Sequence, residues 1–104
     1  MTKAVGSAWL FHPNGLHARP AIKLTKLAKR FRASVRVAVS EDGPWTDAKS
    51  IARVMAMKTP SRVTLFFEAD GDDAREAVES LEKLVASDFL SLEDGEPSPA
   101  AQPT

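Results

Sequence analysis

No cysteine occurs anywhere in the 104 residues. Its absence excludes a disulfide framework and a thiolate metal site, and makes the cytoplasm the default expectation. There is also no apolar run of the roughly 20 residues that a membrane-spanning helix requires, so no membrane partner is expected. The opening MTKAVGSAWLF has one lysine and no sustained apolar stretch, and does not read as a signal peptide. Acid is missing from the front of the chain: the first acidic residue is Glu41, and eight basic residues precede it. From Glu68 onward the bias reverses, with only Arg75 and Lys83 among the acidic residues. The formal net charge of zero, 14 basic against 14 acidic residues, conceals this asymmetry. A basic front half points to an anionic substrate or partner. A solvated helix face gives the same count, so the bias alone does not decide.

What is present fits one domain of 104 residues, and a hydrophobic share of 43% is enough for a modest core. Residues 3–10 alternate loosely and read as a strand, with Phe11 at its end. HPNG is a turn cluster. From Ala18 to Phe31 the period changes to that of a helix, with Ala21, Leu24, Ala28 and Phe31 on one side and Lys23, Lys26, Lys29 and Arg30 on the other. Pro20 suits a first helical turn, where its missing N–H costs nothing. Residues 33–40 form the clearest strand, with Val35, Val37 and Val39 alternating with shorter or polar residues. EDGP is a turn, 45–48 allows only a short strand, and Ser50 can cap a short helix through Met57. KTPS breaks that helix, 62–69 is a strand, and DGDD loads acid at the start of an amphipathic helix over roughly 72–87. Residues 90–104, rich in proline and alanine, read as a disordered tail or interdomain linker after a domain at 1–89. The order βαββαβα predicts an α+β fold: an open-faced sandwich, a four-stranded antiparallel sheet with three helices on one face.

The stretch HPNGLHARPAIKL, 12–24, places His17 and Arg19 where a turn opens into a helix. The first N–H groups of a helix lack intrahelical acceptors and sit at the positive end of its dipole, a ready site for an anion. An imidazole there prefers to be neutral, and its lone pair is then available as a nucleophile. Arg19 presents a planar fork of donors suited to phosphate oxygens, each charge-assisted contact contributing about 1.5–3 kcal/mol. On these residues alone, a histidine that merely caps or packs at a helix start is the more common arrangement.

GLHARPA, 15–21, resembles the active-site signature of the HPr family, the histidine-containing phosphocarriers of the bacterial phosphotransferase system. The AKS tripeptide at 48–50 is similar to the family's second motif, and the element order fits over 3–88. The resemblance implies a phosphoryl carrier rather than an enzyme. His17 would be phosphorylated on Nδ1 by enzyme I, itself charged from phosphoenolpyruvate, and would pass the group to an enzyme IIA domain. Arg19 would be the active-site arginine, Pro20 would fix the helix entrance, and Asn14 and Gly15 would shape the turn. Ser50 matches a position that a dedicated serine kinase modifies in many relatives; a phosphoserine there adds roughly −1.5 to −2 charge beside the docking face. Its alternative role is only that of an N-cap.

In SIARVMAM, Val54 and Met57 are expected to pack inward, leaving Ile51, Ala52 and Met55 exposed as a partner-binding patch. Lys23, Lys26, Lys29, Lys49 and Arg53 would form a basic rim that steers acidic partners. The chain departs from the family at AMKTPS, which lacks the usual glycines, and at SEDGPWTD, a slightly long turn carrying Trp45. Trp45 either packs over the sheet edge or alters a partner contact. His12 lacks an arginine two residues on and reads as a loop residue. No cofactor and no metal are expected, and the protein should be a monomer. Sugar uptake, a regulatory branch, or a place within a multidomain phosphotransfer protein of the dihydroxyacetone or fructose type are all compatible contexts. A small nucleic-acid-binding α+β domain is a rival from another class, but no stacking-aromatic strand motif supports it. An enzyme with His17 as general base is a third class, and no second acid or base accompanies it.

Overall fold

The computed structural model describes residues 2–10, 18–59, 62–87, 89, 92–93 and 96–97. The sheet consists of β1 (Lys3–Leu10), β2 (Ser34–Ala38), β3 (Thr46–Asp47) and β4 (Val63–Asp70), in the order β1-β4-β2-β3 and antiparallel throughout. The helices are α1 (Ala18–Ala28), α2 (Ile51–Ala56) and α3 (Ala74–Ala86). The expected βαββαβα order and open-faced sandwich are both present.

The alternation in the sequence decides which side of each strand is covered. Leu65, Phe67 and Ala69 of β4 and Val35 and Val37 of β2 are buried, and Leu10 closes β1 on the same side. The intervening Lys3, Val5, Ser7 and Trp9 of β1 are exposed on the uncovered side. Ala21, Leu24, Leu27 and Ala28 of α1, Val54 of α2, and Ala77, Val78, Leu81, Leu84 and Val85 of α3 complete one continuous core. Burying each larger aliphatic or aromatic side chain contributes about 1.5–3 kcal/mol, which is how a domain this small pays for its ordering.

α3 lies along β1 and β4. Its approach to β1 requires Gly6: a Cβ at that position would stand 2.6 Å from Val78 Cγ1 and would also overlap the Glu82 carboxylate. Glu82 uses that proximity, its Oε2 accepting the Ser7 N–H at 2.9 Å. Asp73, just ahead of α3, does not cap its own helix. Its carboxylate instead accepts the N–H groups of Arg32 (2.9 Å) and Ala33 (2.8 Å), tying the start of α3 to the entry of β2. The acid expected to serve the helix dipole thus also makes a long-range tie.

α3 ends with the Ser87 N–H donating to Lys83 O (3.0 Å) and the Phe89 N–H donating to Leu84 O (2.8 Å), a bond pattern that satisfies the last carbonyls of the helix. Phe89 is buried in the core. Beyond it, β5 (Leu92–Glu93) and β6 (Glu96–Pro97) pair antiparallel, with Leu92 opposite Pro97 and Glu93 opposite Glu96. No helix among the described residues is long and apolar enough to cross a membrane.

Candidate functional site

His12, Asn14, Gly15 and His17 lie outside the described residues. The structure therefore defines the site from the helix that follows His17 in the chain. α1 begins at Ala18, and its first turn carries no acidic residue. Positions 18–21 are those whose N–H groups a helix leaves without an intrahelical carbonyl, and Pro20 removes one of them. Pro20 and Ala21 are buried, so the first turn is fixed against the core, while Arg19 is exposed. The outward face of α1 continues through Ile22, 37% exposed, and Lys26 to Lys29 and Arg30 just past the helix.

α2 packs beside α1. Ser50 is its N-cap, with φ −110° and ψ 112°, and its Oγ accepts the Arg53 N–H at 3.3 Å. The cap reading of Ser50 is therefore realised even though Arg53, not Glu, stands at the third helical position. Val54 is fully buried and Met57 is half-buried against the core. Ile51 and Met55 are 37% and 42% exposed, and Ala52 is exposed beside them. The split between inner and outer faces of SIARVMAM follows the expectation, and α1, which holds residues 18–21 of the first motif, lies beside α2, which Ser50 of the second motif caps.

The basic rim is only partly a rim. Lys26, Lys29 and Arg53 are exposed. Lys49 Nζ instead donates to Phe31 O at 2.7 Å, closing the turn that follows α1, while its own N–H donates to Asp47 Oδ1 at 2.9 Å. Lys23 Nζ donates to Phe89 O at 2.8 Å, across 66 positions of chain. Both ammonium groups are held on backbone carbonyls. Periodicity places these lysines on a polar face; it carries no signal for the carbonyl each one reaches.

The remaining polar organisation lies on the uncovered side of the sheet. Glu68 sits between Lys3 Nζ (2.8 Å) and Arg36 Nη2 (2.6 Å), its side chain 13% exposed. The hydrogen bond from Lys3, reinforced by the charge of Arg36, holds its carboxyl below the ordinary carboxylate range. Asp73 is likewise held below its ordinary value, first by the Arg32 N–H and then by the Ala33 N–H. Trp45 is half-buried at the edge of this side, where it lines a shallow groove with Val5, Ser7 and Phe66. A second groove joins Trp45 to Arg53 and Met57.

The departure at AMKTPS also has a visible consequence. Lys58 adopts φ 52°, in the left-handed region that glycine enters without cost. It occupies the position just past the Met57 C-cap, where glycine most often ends a helix.

The family profile PTS-HPr, described as the PTS HPr component phosphorylation site, matches residues 10–87. Among similar proteins, the phosphocarrier protein HPr of Cupriavidus necator is 43% identical over 75 residues, covering 72% of this chain and 82% of that one. A multiphosphoryl transfer protein of Haemophilus influenzae is 32% identical over 84 residues, covering 80% of this chain but 17% of that protein. Among solved structures, HPr from Thermoanaerobacter tengcongensis superposes with a TM-score of 0.73 at 30% identity, covering 86% of this chain and 96% of that chain. A histidine-containing phosphocarrier protein of Mycoplasma gives a TM-score of 0.74 at 32% identity, covering 83% and 97%. Profile, sequence and fold agree over the region that holds GLHARPA, the AKS tripeptide and all three helices, and the chain belongs to the HPr family.

Proposed function

We propose that this chain is a phosphoryl carrier whose working group is His17. The imidazole Nδ1 lone pair attacks the phosphorus carried by phosphoenolpyruvate-charged enzyme I. The N–P bond forms as the bond from phosphorus to the donor breaks, its electron pair leaving with the donor. The reverse exchange delivers the group to an enzyme IIA domain. The observation that carries this reading is the first turn of α1. Pro20 and Ala21 anchor it in the core, Arg19 is exposed, the turn itself contains no acidic residue, and the residue bonded to its first member is His17. The helix N-terminus and the Arg19 guanidinium would offset the charge of the adduct. In this reading Ile51, Ala52 and Met55 form the partner-binding patch, Ser50 is a further phosphorylation site for a serine kinase, and the protein works as a cytoplasmic monomer. Residues 1–89 form the carrier domain and 90–104 a tail.

Incubation with enzyme I and radiolabelled phosphoenolpyruvate should give an acid-labile, base-stable label on this protein, lost in His17→Ala. Arg19→Ala should slow the transfer without a comparable loss of thermal stability. Label retained by His17→Ala would remove the assignment.

A further inference from the structure

We propose that the groove between Trp45 and Arg53 belongs to the docking surface for enzyme I, and receives an apolar side chain of that partner with a carboxylate beside it. This rests on the carrier reading for the identity of the partner. The longer turn SEDGPWTD, where the chain departs from the family pattern, then serves recognition. The first observation is how the turn is held. The Gly43 N–H donates to Ser40 O at 3.0 Å and the Asp42 N–H to Ser40 Oγ at 3.2 Å. Gly43 has φ 86°, which glycine adopts without steric cost, and a Cβ there would stand 3.0 Å from Trp45 Cδ1. The half-buried indole folds back over the turn that carries it. Part of the freedom it would lose on binding is thus already gone.

The second observation is the chemistry of the walls. Val39, Pro44, Ala56 and Met57 supply apolar sides, and Arg53 is the single charged residue of the lining. Arg53 is exposed, and among the described residues its guanidinium has no ion-pair partner. Its backbone N–H, not its side chain, serves the Ser50 cap. Apolar walls beside one available guanidinium complement an apolar side chain next to a carboxylate. Tryptophan and arginine are also the residue types in which interface energy concentrates. The third observation is continuity. Ala52 and Ala56 stand four apart on α2 and are neighbours on its surface. The groove therefore opens beside the exposed Ile51, Ala52 and Met55, and a protein that covers that patch reaches Trp45 with the same face. Enzyme I is the occupant because every carrier must be loaded by its donor, whatever acceptor follows.

The test uses the full chain with 5-fluorotryptophan at Trp9 and Trp45, the two resonances being assigned with Trp9→Phe and Trp45→Phe. Trp9 lies on β1, at the opposite edge of the sheet. Unlabelled enzyme I should shift the Trp45 resonance and leave that of Trp9 in place. An unmoved Trp45 resonance, or equal movement of both, would overturn the contact. A Trp45 resonance that moves when this protein alone is concentrated would give the groove to a second copy, and would overturn it too. In steady-state loading by enzyme I, Trp45→Ala should raise the KM for the carrier roughly fivefold or more with kcat unchanged. Arg53→Gln keeps the backbone N–H of the cap. It should raise KM severalfold in ~10 mM salt and little in ~1 M, while the effect of Trp45→Ala persists. Arg53→Gln carries the kinetic test if Trp45→Ala loosens the turn. An unchanged KM in low salt would overturn the proposal. Label on the natural chain with an unmoved Trp45 resonance would defeat this proposal alone. Absence of label on the natural chain would count against the carrier reading, leaving the resonances to judge the contact.

Discussion

Lys58 holds the backbone at φ 52° one residue past the C-cap of α2, where its Cβ works against the conformation. A non-glycine residue in that region costs of order 1 kcal/mol. Lys58→Gly should therefore stabilise the protein by about 1 kcal/mol, less the extra entropy that glycine loses on folding. For a domain of this size that is a rise of several degrees in the thermal midpoint, readable by calorimetry. A lower midpoint would show that the lysine side chain makes compensating contacts. The missing glycine was legible in AMKTPS, and so was its location after a helix; the conformation forced on Lys58 was not, because a sequence records the residue and not the dihedral. Ser50 is the converse case. Its role as a cap could be read from its place before an apolar run, and Oγ accepts the Arg53 N–H as that reading requires. Lys23 and Lys49 were legible as polar-face residues, but the carbonyls of Phe89 and Phe31 that hold them come from remote segments.

At the scale of elements, α3 and β1 approach closely because one strand position has no side chain. Gly6→Ala would drive a methyl group into Val78 and Glu82. Overpacking of this kind costs about 1–3 kcal/mol. The cost should show in chemical denaturation as a lower midpoint with an unchanged slope, together with loss of protection at the Ser7 amide in hydrogen exchange. A variant as stable as the parent would mean that α3 can shift outward freely. Element types and order followed from periodicity, since Val35, Val37, Leu65 and Phe67 alternate and the α3 apolar positions recur at helical spacing. The ends moved by one to three residues: the first helix, read through Phe31, ends at Ala28, and the last, read as roughly 72–87, is Ala74–Ala86, because Asp73 turns outward to serve Arg32 and Ala33. Gly6 was legible only as part of the alternating strand 3–10; the close approach it permits depends on a helix remote in the chain.

For the molecule as a whole, two carboxylates link stability to acidity. Glu68 and Asp73 are both held below their ordinary values of 4.5 and 3.8, so the folded state favours their charged forms. Their contribution is fully present above those ordinary values. It is lost as pH falls through the lower folded-state values, because protonation then removes the Lys3 and Arg36 pairing and the two backbone bonds at Arg32 and Ala33. Unfolding free energy should accordingly decline from about pH 5 downward, and Glu68→Gln with Asp73→Asn should flatten that decline. Urea titrations at stepped pH would show it, and an unchanged slope in the double variant would place the acid sensitivity elsewhere. The open-faced architecture was predictable from βαββαβα and the GLHARPA motif, while these cross-chain ties depend on which surfaces folding brings together.

The outer edge of β1 has a further importance for the protein in a crowded cell. A sheet ending in an unpaired strand offers its outward amides to any other extended chain. By occupying the Ser7 N–H with a negatively charged oxygen, Glu82 removes one of those donors at mid-strand and sets a charge beside the edge. A side chain of the last helix thereby acts as a guard against strand addition at that edge.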